Sequence, residues 1–242
     1  GVGVVRDPGD DLAHGRPVEV VDVEALDLLE RVHAQPREHP LPRHLHEVGL
    51  GEARGELHDD RDEEEPDRGA ERLGGVLDDR RVALVGETDA STPGYFRAMM
   101  RDFPALEQLD MVECPGTRDD RANLAVGRMI RAAGLVTHVP AIGSVRSGAF
   151  ELFLAGAERD IAQGAEFAVH SWMDAYGREA DDFAMHAPEN RQYLDYYREM
   201  GMSAEQARSF YAFTNSVPHA RALWLDASDM RRWTGRKTQR AQ

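Results

Sequence analysis

The stretch LDMVECPGTRDDRANLAVGRMIRAAGLVTHVPAIGSVRSGAFELFLAG, residues 109–156, decides the fold. It opens on an apolar run, LDMVE (109–113), of strand length, and turns at CPGT (114–117). The next segment, RDDRANLAVGRMIRAAG (118–134), spaces its apolar residues as a helix does. It carries an acidic pair at its start and Gly134 at its stop. Acids complement the positive end of a helix, and glycine closes the other end without steric cost. LVTHVP (135–140) reads as a further strand, and a buried helix is predicted from about Gly148 to Leu154, where the apolar run has no polar face. Strand, helix, strand, helix in one compact run implies parallel strands joined by crossovers.

Working outward, VALVGE (82–87) has the texture of a buried strand, and STPGYFRAMMRDFP (91–104) follows with helical spacing. Two short extended pieces are expected within residues 158–170, helices over 189–201 and 203–215, a strand at RALWL (221–225), and a short terminal helix over 226–235 with Asp226 or Ser228 as its cap. The expected fold class is α/β, a parallel sheet with flanking helices. In such folds chemistry gathers where strands end and helices begin. CPGT, GSVRSG and VHSW stand at those places.

The chain has 242 residues and a formal charge of -15, but the charge is unevenly held. Residues 1–80 carry 22 acidic and 10 basic side chains; residues 81–242 carry 22 and 19. From residue 1 to residue 87 only Gly, Val, Arg, Asp, Pro, Leu, Ala, His, Glu and Gln occur. These are the ten residue types whose codons all begin with G or C, apart from extra codons for Leu and Arg. A GC-rich gene read in an unselected frame yields such a composition. Residues 1–80 are therefore expected to be a low-complexity acidic segment, disordered or out of frame. With no aromatic residue and no isoleucine they have little apolar surface to offset chain entropy. One isolated helix, VEALDLLERVHAQ (23–35), has helical spacing there. HPLPRHLHE (39–47) lacks the cysteines and scaffold of a metal site. The expected division is a head at 1–80, an α/β domain at 81–236 and a tail at 237–242.

The single cysteine, Cys114, excludes an internal disulfide, and no apolar run is long enough to span a bilayer. Residues 82–242 contain no Walker loop, G-x-G-x-x-G, zinc spacing or basic nucleic-acid patch. Neither metal nor organic cofactor is implied.

An acyl-transfer site needs a nucleophile, a base and donors for the developing oxyanion. Ser147 is the candidate nucleophile. His170, ending the apolar EFAV run, is the candidate base. The amides of Gly116, in the CPGT turn, and Gly148 are the candidate oxyanion donors. Plainer roles exist for each: Ser147 as a helix cap, His170 as a strand-end side chain bonded to a carbonyl, Cys114 as a small buried residue, and Ser144 as a turn residue supporting Ser147. The aromatic set Tyr193, Tyr196, Tyr197, Phe210, Tyr211 and Phe213 suits helix packing.

At these residues the chain resembles the ClpP/crotonase superfamily, and within it the bacterial ClpP-like, periplasmic-type proteins of unassigned substrate. CPGT stands in the place of that family's SPGG turn, RSGAF in the nucleophile place and AVHSW in the histidine place, over residues 82–235. The resemblance implies Ser147 as nucleophile, His170 as base, Gly116 and Gly148 as oxyanion donors, and a peptide or protein substrate. It also implies assembly as a homo-oligomer. Thr117 replaces the second glycine of the turn, and Ala222 stands where ClpP places its acid. Asp226 is the nearest carboxylate and Asn215 a polar alternative for a third member; His219 is a further neighbour in sequence. The function expected is a serine hydrolase of peptidase type working by a Ser-His dyad. The rival is a non-catalytic oligomerisation or binding module. An acyl-CoA enzyme is a third reading without a specific feature. The G-x-S-x-G pattern of α/β-hydrolases fits around neither Ser144 nor Ser147.

Overall fold

A computed structural model of the chain describes residues 73–234. Helix 23–35, the histidine-rich 39–47 stretch and the tail at 237–242 lie outside the described residues.

Among the described residues, eight strands form one sheet. They are β1 (Gly74–Val76), β2 (Arg81–Val85), β3 (Gln108–Cys114), β4 (Val136–Val139), β5 (Ser144–Arg146), β6 (Glu158–Ile161), β7 (Glu166–Val169) and β8 (Leu223–Asp226). Six α-helices accompany them: α1 (Thr92–Asp102), α2 (Asp120–Ala133), α3 (Ala149–Leu154), α4 (Pro188–Glu199), α5 (Ala204–Thr214) and α6 (Ala227–Thr234). The interior pairings are all parallel, and only the outer strands β1 and β8 run antiparallel to their neighbours. This is the α/β class expected, a largely parallel sheet with flanking helices.

The sheet forks at β3. Its first residues pair with β4, and its last, Glu113 and Cys114, pair with β5. The chain between β4 and β5 breaks at Pro140–Gly143, where Gly143 N–H donates to Pro140 O at 2.7 Å. The next strand breaks likewise at Ala162–Ala165, so β6 continues beside β4 and β7 beside β5. The site-bearing branch is therefore β3–β5–β7–β8.

Two strands differ from the sequence reading. β5 falls within residues read as a turn into a helix. Three residues are too few to show a period, and both partners of β5 are distant in sequence. β1 lies upstream of residue 81, inside the low-complexity stretch. Gly-Gly-Val pairs with β2 through its main chain and asks little of side chains.

α2 buries Asn123, Leu124, Val126, Gly127 and Ile130, the one-sided spacing expected of it. Asp119 caps it by accepting from Ala122 N–H at 2.9 Å, and Gly134 closes it at φ 69°. All six residues of α3 are buried. Its Phe150 and Phe153 meet Phe167 of β7, and Phe150 stacks on Phe210 of α5 at 5.4 Å between ring centroids. That aromatic knot joins sheet to helices behind the site. Buried aromatic pairs of this kind contribute about 0.5–1.5 kcal/mol beyond their area.

Candidate active site

Ser147 is the first residue after β5, and only Gly148, the N-cap, separates it from α3. It has φ 49°, the only positive φ of a non-glycine among the described residues. A left-handed serine costs about 1–3 kcal/mol and persists only where surroundings impose it. Here its N–H donates to Ala168 O of β7 at 2.9 Å, and its carbonyl accepts from Phe150 N–H at 2.9 Å. The backbone is thus held at both ends of a sharp strand-to-helix turn. The chain lacks the G-x-S-x-G pattern but makes the same kind of turn, which lifts a serine hydroxyl clear of the sheet.

Gly116 lies directly across from that hydroxyl. Its φ is 138°, and a Cβ built on it would fall 2.9 Å from Ser147 Cβ and 3.3 Å from Ser147 Oγ. Only glycine lets the main chain come this near. Gly148 is as constrained from the other side: a Cβ there would meet Thr117 Cγ2 at 2.4 Å. Thr117 therefore packs its methyl group into space that a bare residue 148 leaves open. Among the described residues, neither the Gly116 nor the Gly148 amide donates a hydrogen bond. Both stay available to a ligand oxygen.

Asn123, which sequence reasoning missed, fixes this turn. It is buried in α2, donates from Nδ2 to Gly148 O at 2.5 Å and accepts from Thr88 Oγ1 at 2.8 Å. Its signal was an amide among apolar residues on the buried face of a helix. Ser144 holds Arg146 (2.7 Å from Nη1), which also pairs with Glu113, rather than supporting Ser147.

His170 follows β7 and lines the same crevice as Ser147. Its Nδ1 donates to Ser171 O at 2.8 Å, which leaves Nε2 as the basic nitrogen, a tautomer assigned from that bond. Burial holds its pKa below the ordinary histidine value, and nearby His219 adds to the effect; the Ser171 carbonyl and the more distant Glu179 oppose it. The imidazole is therefore neutral at neutral pH, the state a general base requires. The Ser171 carbonyl is itself anchored. Ser171 N–H donates to Val217 O at 2.9 Å, and its Oγ accepts from Ala180 N–H at 3.2 Å. His219 Nδ1 donates to the same carbonyl at 3.1 Å, with its ring edge-on to His170 at 4.5 Å. No hydrogen bond joins Ser147 Oγ to the His170 ring among the described residues.

The two candidates for a third member are placed apart. Asn215 lines the crevice, but its bonds go elsewhere: Oδ1 accepts from Trp172 N–H (3.3 Å), and Nδ2 donates to Tyr211 O (2.8 Å). Asp226 is not brought to the site. It pairs with Glu166 at one end of β7, whereas Leu223 pairs with Val169 beside His170, so Asp226 stands three steps along the strand from that point, about 10 Å. Its carboxylate accepts from Ser228 N–H (2.7 Å) and Asp229 N–H (3.0 Å) and so caps α6.

The crevice encloses about 90 Å³. Asp120, Glu151, Tyr193 and Tyr197 are among the residues that line it. Glu151 is buried, accepts from Tyr197 Oη at 2.9 Å and has its pKa pushed up to about 8 by desolvation. Burial also raises Asp120, against the pull of the Tyr193 hydroxyl. Cys114 is no rival nucleophile, since burial pushes its thiol up to about 12.

No family model matches the chain, and no curated protein matches it. Among solved structures it is similar to a mutant ClpP1 from Listeria monocytogenes, at 16% identity and a TM-score of 0.47, over 64% of this chain and 88% of that one.

Proposed function

We propose that the chain is a serine hydrolase of peptidase type that works by a Ser147–His170 dyad. The observation that carries this reading is the strained Ser147, lifted out of the sheet beneath the Gly116 main chain and sharing one crevice with a neutral histidine. A serine that served only as a helix cap would need no left-handed backbone and no glycine over its hydroxyl.

In the proposed reaction Ser147 Oγ attacks a carbonyl carbon as His170 Nε2 takes its proton. The carbonyl oxygen, now negative, is received by the Gly116 and Gly148 amides. Collapse expels the amine, which leaves with the proton from His170, and an acyl-serine remains. Water, deprotonated by His170, hydrolyses it and restores both residues. The Ser171 carbonyl takes the orienting part that a carboxylate plays in a triad. A carbonyl fixes the tautomer without stabilising imidazolium as strongly. Turnover slower than that of a full triad is expected, the difference lying within the roughly 10⁴-fold seen when a triad acid is lost. Catalysis needs Nε2 within hydrogen-bond reach of Oγ, and such contacts commonly tighten only around substrate.

A fluorophosphonate probe tests the reading. Labelling that maps to Ser147 and vanishes in Ser147→Ala supports it. A folded protein that resists labelling at every concentration refutes it and favours the non-catalytic module. Assembly as a homo-oligomer belongs to the same proposal and is read by light scattering in solution.

A further inference from the structure

We propose that the crevice beside Ser147 receives a cationic side chain, so that the peptides cut carry lysine or arginine next to the scissile bond. This rests on the hydrolase reading and assigns its substrate class.

Two acidic residues from different helices line the crevice, Asp120 of α2 and Glu151 of α3. Both stand in the first turn of their helices, where an acid is mildly favourable. That benefit is available at the surface and does not require burial in a crevice next to a nucleophile. Among the described residues, no arginine pairs with either group and none lines the crevice; its only nitrogen bases are His170 and His219. Buried without a cation, both carboxyls are pushed toward the neutral form, and an entering cation favours their charged form.

Tyr193 supplies an independent sign. It is 5% exposed, lines the crevice, and its hydroxyl has no partner at ordinary hydrogen-bond geometry. Asp120 is within loose hydrogen-bonding reach of it, a contact that lowers the carboxyl's pKa without closing an ordinary bond. A buried hydroxyl rarely goes unpartnered, and an ammonium or guanidinium set between it and Asp120 satisfies both. The crevice is suited to a long stem, because apolar Phe150, Val169 and Trp172 line it alongside Ser147 and the acids. Lysine and arginine bury such stems while their heads seek polar partners. A volume of about 90 Å³ takes one narrow side chain.

The test uses two peptidyl phosphonates that differ only in a lysine or leucine side chain beside phosphorus. Rates of Ser147 modification are followed by mass spectrometry. The lysine reagent is expected to react at least ten times faster, and Asp120→Asn to bring the ratio below three. Glu151→Gln serves as the second variant, with the fold of each checked by circular dichroism. Equal rates, a leucine preference, or a ratio that survives Asp120→Asn overturns the proposal. The simple fluorophosphonate has no side chain to place, so its failure marks the hydrolase reading instead. The crevice is then read by anisotropy with Ser147→Ala and fluorescent tetrapeptides ending in lysine amide or leucine amide. Tenfold tighter binding of the lysine peptide upholds the cation site, and equal affinity ends it.

Discussion

Glu151→Gln is expected to change the pH dependence of stability more than any other single substitution in the site. Glu151 is buried, and its pKa rises from an ordinary 4.5 to about 8. Between those values the unfolded chain holds an ionised glutamate while the folded protein keeps the carboxyl protonated. The folded state then binds the extra proton, so unfolding free energy falls as pH rises, by about 1.36 kcal/mol per pH unit. Stability from this group is fully present below pH 4.5 and is lost as pH climbs to about 8. The 3.5-unit span corresponds to roughly 5 kcal/mol. A glutamine keeps the shape and an oxygen able to accept from Tyr197 Oη, but it has no proton to lose. The assay is urea unfolding of both proteins from pH 4.5 to 9, read as the difference at each pH, which cancels every other titrating group. The variant should gain on the native chain steadily from about pH 5 and level off beyond pH 8. Parallel stability curves across that range would refute the claim that Glu151 is buried and neutral.

Three further outcomes follow from the same geometry. The acid limb of kcat/KM should fall with an apparent pKa below the ordinary histidine value, because burial depresses His170 and only its neutral form is a base; a limb above that value refutes the assignment. Gly116→Ala should abolish fluorophosphonate labelling while circular dichroism stays native, since its Cβ would press on Ser147 Cβ at 2.9 Å and the φ of 138° disfavours a side chain. Phe150→Ala should lower unfolding free energy by about 3–5 kcal/mol in denaturant melts, because a fully buried ring packed on Phe167 and Phe210 leaves a cavity.

The helices were legible because their patterns are long. α2 shows its cap, its one-sided spacing and its glycine stop in consecutive residues, and α5 opens on Ser203 with a capping box to Gln206. β5 was not legible, since its three residues owe their extended form to pairing with β3 and β7. The same difference divides the site. Ser147, Gly116, Gly148 and His170 stood out as residue types at strand ends. Asn123 and Ser171 did not, because an amide on a buried helix face and a serine in a loop acquire meaning only from what they touch.

Composition, helical period and turn residues in this chain determined an α/β arrangement and marked the strand ends where the candidate site residues stand. These are local properties, set within a few turns or strands of each residue. Tertiary structure decided the rest. It forked the sheet at β3, turned Ser147 into a left-handed conformation and gave His170 a carbonyl in place of a carboxylate. It also sent Asp226 to cap a helix at the far end of β8. The fork and the Ser147 turn depend on contacts with segments tens of residues away, while the carbonyl and the cap are local bonds whose place relative to Ser147 is set by the pairing of β5, β7 and β8; that pairing exists only once the chain has folded.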